Sequence, residues 1–133
     1  MVRFTKKVEY ALISLRHIAN AKDEIITAKQ ISNKFNIPYE LLAKVLQKLK
    51  KEKILESNQG VNGGYKLIKQ LNEISLSSLI DVIEGKLAIV ECLHEKDIND
   101  CFISDTCNIK SPINKMQYEL ENLLKHKMVS DFV

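Results

Sequence analysis

Apolar side chains recur over residues 6–20 at Val8, Ala11, Leu12, Leu15, Ile18 and Ala19, the three-and-four spacing of a helix with one buried face. A second helix is predicted to open at Thr27, where Gln30 three positions on makes a capping box. Ala28, Ile31 and Phe35 are its expected inner face, and Asn36 and Pro38 end it. A third helix is predicted from about Tyr39 to Glu52. Leu41, Leu42, Val45, Leu46 and Leu49 would face inward, and Glu40, Lys44, Gln47, Lys48 and Lys51 outward. After Lys53 the period changes. Residues 54–57 and 65–68 read as two short strands, and the intervening Asn58-Gln59-Gly60-Val61-Asn62-Gly63-Gly64 is rich in residues that tolerate positive φ, so a β-hairpin is expected.

Ser75 is the expected cap of a further helix carrying Leu76, Leu79, Ile80 and Ile83, stopped by Gly85. Residues 86–110 show no sustained period. Ser111-Pro112 then predicts a cap and first-turn proline for a last helix. Its apolar positions Ile113, Met116, Leu120, Leu123, Leu124 and Met128 form a near-heptad seam that one chain cannot bury alone, which points to a homodimer. The expected fold class is mainly α with a small β-hairpin. In domain terms, a winged helix-turn-helix spans 1–85, a cysteine-containing loop 86–110 and a dimerisation helix 111–133.

Charge sharpens this picture. The net +3 of the 133 residues conceals a basic front and an acidic back. Residues 1–70 hold 14 Lys+Arg against 6 Asp+Glu, whereas residues 71–133 hold 6 against 11. A nucleic-acid partner would therefore meet the N-terminal half. A helix fits the major groove if its outer face offers hydrogen-bonding side chains, and the third helix does. Lysines 44, 48, 50, 51, 53, 66 and 69 suit phosphate contacts, which position without reading sequence. Solvated surface is the plainer reading of any lysine-rich face; the hairpin and the charge split favour duplex DNA. No apolar run is long enough to span a bilayer. The opening MVRFTKKVEYALISL carries charge within its apolar pattern and no small-residue cleavage site, so a cytoplasmic, non-membrane protein is expected. No catalytic arrangement is recognisable, and no enzyme is expected.

Three cysteines, Cys92, Cys101 and Cys107, fall within one polar stretch of the acidic half. An odd count argues against a disulfide framework. Soft thiolates suit iron–sulfur clusters, zinc or copper(I). Zinc sites of this kind usually contain a tight Cys-x2-Cys or Cys-x4-Cys knuckle, absent here. Thiols acting by oxidation, and thiols without a role, remain the other readings. His94, two residues after Cys92, is a possible fourth ligand. His17 and His126 read as surface residues.

The chain resembles the family of bacterial winged helix-turn-helix regulators typified by IscR, NsrR and CymR. The resemblance rests on Val8-Glu9-Tyr10-Ala11-Leu12, Gln30-Ile31-Ser32, Asn36-Ile37-Pro38, Leu41-Leu42 and Ile54-Leu55-Glu56-Ser57. Its most specific pieces are the hairpin Gly60-Val61-Asn62-Gly63-Gly64-Tyr65-Lys66-Leu67 and the helix end Ile80-Asp81-Val82-Ile83-Glu84-Gly85. The resemblance implies sequence-specific DNA binding by a homodimer on a palindromic operator, as a repressor. It implies a 2Fe–2S or 4Fe–4S cluster on Cys92, Cys101 and Cys107 that senses iron–sulfur, redox or nitric oxide status. One subgroup adds a histidine after the third cysteine, where this chain has Asn108-Ile109-Lys110. Another adds an acidic residue from the first helix of the partner subunit, a position matched by Glu9. Two departures bear on DNA reading: Gln59 stands where an arginine is common, and Ala43 where a glutamate is common. Base contacts are expected from Tyr39, Glu40, Lys44, Gln47 and Gln59, with Lys48, Lys51, Gly60, Asn62, Gly63, Gly64 and Tyr65 completing the DNA-binding set. The dimer contacts are expected at Ile113, Met116, Leu120, Leu123 and Leu124. The alternatives are a cluster-free regulator working by thiol oxidation or through a protein partner, and an iron–sulfur redox protein that does not bind DNA.

Overall fold

The computed structural model describes residues 3–60, 63–90, 93, 103 and 105–132. Three helices come first: α1 (Lys6–Asn20), α2 (Ala28–Phe35) and α3 (Tyr39–Lys51). Strands β1 (Leu55–Asn58) and β2 (Gly64–Leu67) pair antiparallel, with Leu55 opposite Leu67 and Asn58 opposite Gly64. A 3-10 turn (Leu71–Glu73), α4 (Leu76–Glu84), α5 (Lys110–His126) and a last 3-10 turn (Val129–Phe132) follow. The mainly-α architecture with one hairpin is the expected one.

Caps set most boundaries where the sequence places them. In α2, Thr27 Oγ1 accepts from the Gln30 N–H at 3.0 Å, and Gln30 Oε1 accepts from the Thr27 N–H at 2.8 Å, the expected reciprocal box. Asn36 ends that helix in the left-handed region (φ 55°), a conformation asparagine tolerates better than most residues. The three-residue turn Asn36–Pro38 then delivers the chain into α3. Thr5 caps α1 and also donates to Glu84 Oε1 at 2.7 Å, joining the start of α1 to the end of α4.

The core is one cluster. Ala11 and Leu15 of α1, Leu42, Val45, Leu46 and Leu49 of α3, and Leu79 and Ile83 of α4 are at most 1% exposed, so these three helices pack as one body. Val129 joins them because the chain end returns to the start of α4: the Leu76 N–H donates to the Lys127 carbonyl at 2.7 Å, and the Val129 N–H to the Ile74 carbonyl at 2.9 Å.

Four expectations shift. The strands lie one residue nearer the hairpin tip than 54–57 and 65–68. The cause is the exit from α3: Lys53 adopts φ 60°, its N–H bonds the Lys50 carbonyl, and the Ile54 N–H bonds the Leu49 carbonyl. This paired motif normally uses glycine, so the lysine hid it, and it spends the Ile54 N–H on the helix end. Helix α5 begins at Lys110 rather than after a Ser111 cap, with no side-chain cap at Ile109. Pro112 is still accommodated, because first-turn N–H groups have no helical acceptor to lose. The same helix ends at His126, so Met128 leaves the seam and instead pairs with Ser75. Finally, Phe35 is 38% exposed rather than internal, and Leu41 is only half-buried. Phe35 packs edge-on against His17, ring centroids 5.3 Å apart, with the Lys34 ammonium 5.7 Å from its ring centre.

Ser14 sits fully enclosed on the inner face of α1, and its Oγ has no hydrogen-bond partner among the described residues. A buried hydroxyl without a partner costs about 1–3 kcal/mol, and alanine is the better helix former. Ser14→Ala is therefore expected to stabilise the protein by about 1 kcal/mol, read as a higher urea midpoint at unchanged slope. An equal or lower midpoint would mean that the hydroxyl is satisfied.

Candidate nucleic-acid interface and cysteine segment

With Leu42, Val45, Leu46 and Leu49 buried, the opposite face of α3 has its direction fixed. Glu40, Lys44, Gln47 and Lys51 lie along it at helical spacing and are exposed, and Tyr39 is 54% exposed at its head. Lys50, Lys53 and Lys69 add exposed cationic groups nearby in the chain. Lys48 has a different partner: its Nζ donates to the Ile83 carbonyl at 2.9 Å, where a cation complements the C-terminal end of α4.

The hairpin is held to the rest by a contact that hydrophobic patterning gives no hint of. Ile26, in the connection between α1 and α2, exchanges two backbone hydrogen bonds with Tyr65 (2.7 and 3.0 Å) and so adds a one-residue third strand. Lys66 forms an ion pair with Asp23 of the same connection at 3.9 Å. This close approach explains Gly64: a Cβ there would lie 2.6 Å from Ile25 Cγ2 and 2.8 Å from the Ile26 carbonyl oxygen. Gly63 is equally constrained within the tip, where a Cβ would run into the Asn58 carbonyl oxygen. Gln59 and Gly60 are exposed at the tip. Burial, and then the neighbouring Tyr39 phenol, push the Tyr65 hydroxyl above its ordinary range.

Two other groups are perturbed. Burial and then the Lys34 charge lower the His17 pKa. Burial first, then Glu121, raises the Asp81 carboxyl, opposed by Lys86 and Lys125; these four line a cleft of about 530 Å³ between α4 and α5.

Asn62, Cys92, His94 and Cys101 lie outside the described residues. Cys107 is a free, half-buried thiol three positions before α5. Glu9 stands in the first turn of α1, 3.1 Å from Lys6 Nζ, its side chain 43% exposed. Among the described residues no three His, Cys, Asp or Glu side chains converge on a single point. No helix among them is long and apolar enough to cross a membrane.

The expected seam of α5 divides. Leu124 is buried in the protein's own core and Leu120 packs partly against it, Ile113 is half-buried, and Met116 and Leu123 are 52% and 62% exposed. Ile109, also exposed, lies seven residues before Met116 and continues that stripe.

The sequence profile of the Rrf2 family, described as iron-dependent transcriptional regulators, matches residues 4–133. The chain belongs to the Rrf2 family. It is 34% identical over 132 residues to the HTH-type transcriptional regulator NsrR of Oceanobacillus iheyensis, covering 92% of this chain and 89% of that protein. It is 29% identical over 136 residues to the NsrR of Halalkalibacterium halodurans, covering 95% and 92%. Among solved structures, CymR (YrzC), the global cysteine regulator of B. subtilis, superposes with a TM-score of 0.74 at 21% identity, covering 98% of this chain and 95% of that one. IscR of T. potens gives 0.72 at 20% identity, covering 98% and 85%. The fold is that of Rrf2 winged-helix regulators, and the protein is a DNA-binding transcription regulator, as its Rrf2 relatives are, rather than an enzyme.

Gly64→Ala tests the attachment of the wing. Overpacking of this size costs about 1–3 kcal/mol, and the strain falls on the Ile26–Tyr65 pairing. Amide exchange at Ile26 and Tyr65 should accelerate together in the variant. Unchanged protection at both would show that the connection can move aside freely.

Proposed function

We propose that this Rrf2 protein is a homodimeric, cytoplasmic repressor that binds a near-palindromic operator and senses its signal through an iron–sulfur cluster on Cys92, Cys101 and Cys107. The outer face of α3 enters the major groove, with Tyr39, Glu40, Lys44 and Gln47 reading base edges and Lys51 on phosphate. Gln59 at the wing adds a base contact, and Gly60, Asn62 and Tyr65 follow the adjacent backbone. Two copies related by a two-fold axis set half-sites apart by whole helical turns.

The observation that carries the reading is the position of Cys107. A free thiol stands at the mouth of α5, the helix whose Ile109, Met116 and Leu123 stripe is left to solvent by a single chain. Whatever the thiols hold is therefore adjacent in the chain to the surface on which a second copy would pack. The donor set suits the group: three soft thiolates, with Glu9 of the partner subunit as a harder fourth ligand. Among the described residues Glu9 is engaged only by the exposed, screened contact to Lys6, which a metal would readily replace. A bound cluster supplies a centre that responds to oxidants, small ligands or iron loss. The chain's own residues tie that centre to the geometry between the two reading heads.

Protein purified without oxygen should be coloured and contain iron and sulfide, and the triple variant Cys92→Ala, Cys101→Ala, Cys107→Ala should be colourless. On a duplex selected by the protein from random sequences, loading and stripping the wild type should change affinity about 5–150-fold, and the variant should show no such change. Colourless, metal-free protein that binds at full strength would remove the cluster. A response to thiol oxidants alone would favour the cluster-free alternative.

A further inference from the structure

Residues 83–89 join α4 to the cysteine segment, and two side chains from different helices grip their backbone. At one end, Lys48 of α3 donates through Nζ to the Ile83 carbonyl at 2.9 Å. At the other end, the buried Gln117 of α5 accepts from the Ile89 N–H at 3.0 Å and donates through Nε2 to the Leu87 carbonyl at 2.7 Å. The second amide proton of Gln117 goes to Glu121 Oε1 at 2.9 Å, so the side chain is fixed as well as fixing. Leu87 and Ile89 belong to no helix or strand, and half-buried backbone polar groups need partners from elsewhere. One amide group supplies both, in the manner of a strand pairing. Between the two grips lies Gly85, at φ 84° and with open space where a Cβ would stand. Cys92 follows Ile89 by three residues.

A polar residue on the inward side of α5 would otherwise be a defect in an apolar packing surface. The two clamps give it a task. We propose that residues 83–89 are the link between the cysteine segment and the reading helix, with Gln117 and Lys48 as the positioning residues that make them one. A displacement that begins at Cys92 meets Gln117 first. It cannot proceed without breaking the Ile89 and Leu87 bonds or carrying α5 with it. Beyond Gly85 it reaches the Ile83 carbonyl, and through Lys48 it bears on α3. The link rests on the sensing function proposed above, since the signal enters at the thiols.

The experiment compares full-length wild type, Gln117→Leu, Lys48→Met and the double variant. For each, the ratio of affinities for the selected duplex is measured between protein reconstituted with iron and sulfide and protein stripped of both. The wild-type ratio should be about fivefold or more, and Gln117→Leu should bring it to within about twofold of unity. Lys48→Met should also collapse the ratio, whatever its effect on affinity itself, and the double variant should add nothing further. Amide exchange gives a readout independent of the thiols. Ile89 should lose roughly fivefold or more of its protection in Gln117→Leu. It should keep that protection in Gln117→Glu, which retains the acceptor for Ile89 but lacks the donor to Leu87; Lys48→Met serves if the leucine variant does not fold. A wild-type ratio of unity would overturn the sensing function and the link with it. A wild-type response that survives in Gln117→Leu, or in Lys48→Met if the leucine variant does not fold, would overturn the link alone.

Discussion

The burial of one face of α3 is the constraint on which the rest of the structure depends. Leu42, Val45, Leu46 and Leu49 are buried where α3 packs on α1, α2, α4 and β1, and burial of each such side chain is worth about 1.5–3 kcal/mol. The helix cannot rotate about its axis without exposing them, so the Glu40, Lys44, Gln47 and Lys51 face is aimed by packing rather than by its own polar groups. A reading helix needs this property, because base recognition tolerates little angular error. The end of the same helix also sets the wing. Lys53 in the left-handed region commits the Ile54 N–H to α3 and starts the hairpin ladder at Leu55.

The wing is similarly positioned from outside itself. An isolated two-stranded hairpin is marginal in water, and this one has strands of four residues. Ile26 supplies the missing neighbour. Its two bonds to Tyr65 require the chains to approach so closely that only glycine fits at position 64. The connection between α1 and α2, which sequence patterning leaves as mere linker, is thus part of what holds the hairpin. In the same way Gln117 is a polar residue within an apolar helix pattern, and its meaning lies in backbone groups 28 and 30 residues away.

These cases mark what was legible in the sequence. Helices α1 to α4, the box at Thr27, the cap at Ser75 and the stop at Gly85 follow from local chemistry, and local chemistry suffices for them. The Ile26 bridge, the bond from Lys48 to the Ile83 carbonyl and the departure of Met128 from the α5 seam depend on partners distant in sequence, whereas left-handed Lys53 is a local turn in which lysine stands where glycine is usual. Phe35 shows the limit of periodicity from the other side: it has the right phase for the core but stands at the last position of α2, where the inner face has run out. For the proposed site, the residue types and their basic and acidic segregation were readable. The division of the seam between the protein's own core (Leu124) and the exposed stripe (Met116, Leu123) was not, because heptad phase does not say which chain does the covering.

The central claim is that a basic, rigidly aimed head grips a polyanion while the acidic half stays clear of it. Its most direct test is the salt dependence of binding between the full chain and duplex DNA. Neutralising several phosphates releases their counterions, so affinity should fall linearly on a double-logarithmic plot and drop by a factor of about 10³ or more between 50 and 200 mM salt if roughly six contacts form. An affinity that stays within about twofold across that range would contradict the account, since it would mean that the lysine-bearing face is not what meets the duplex.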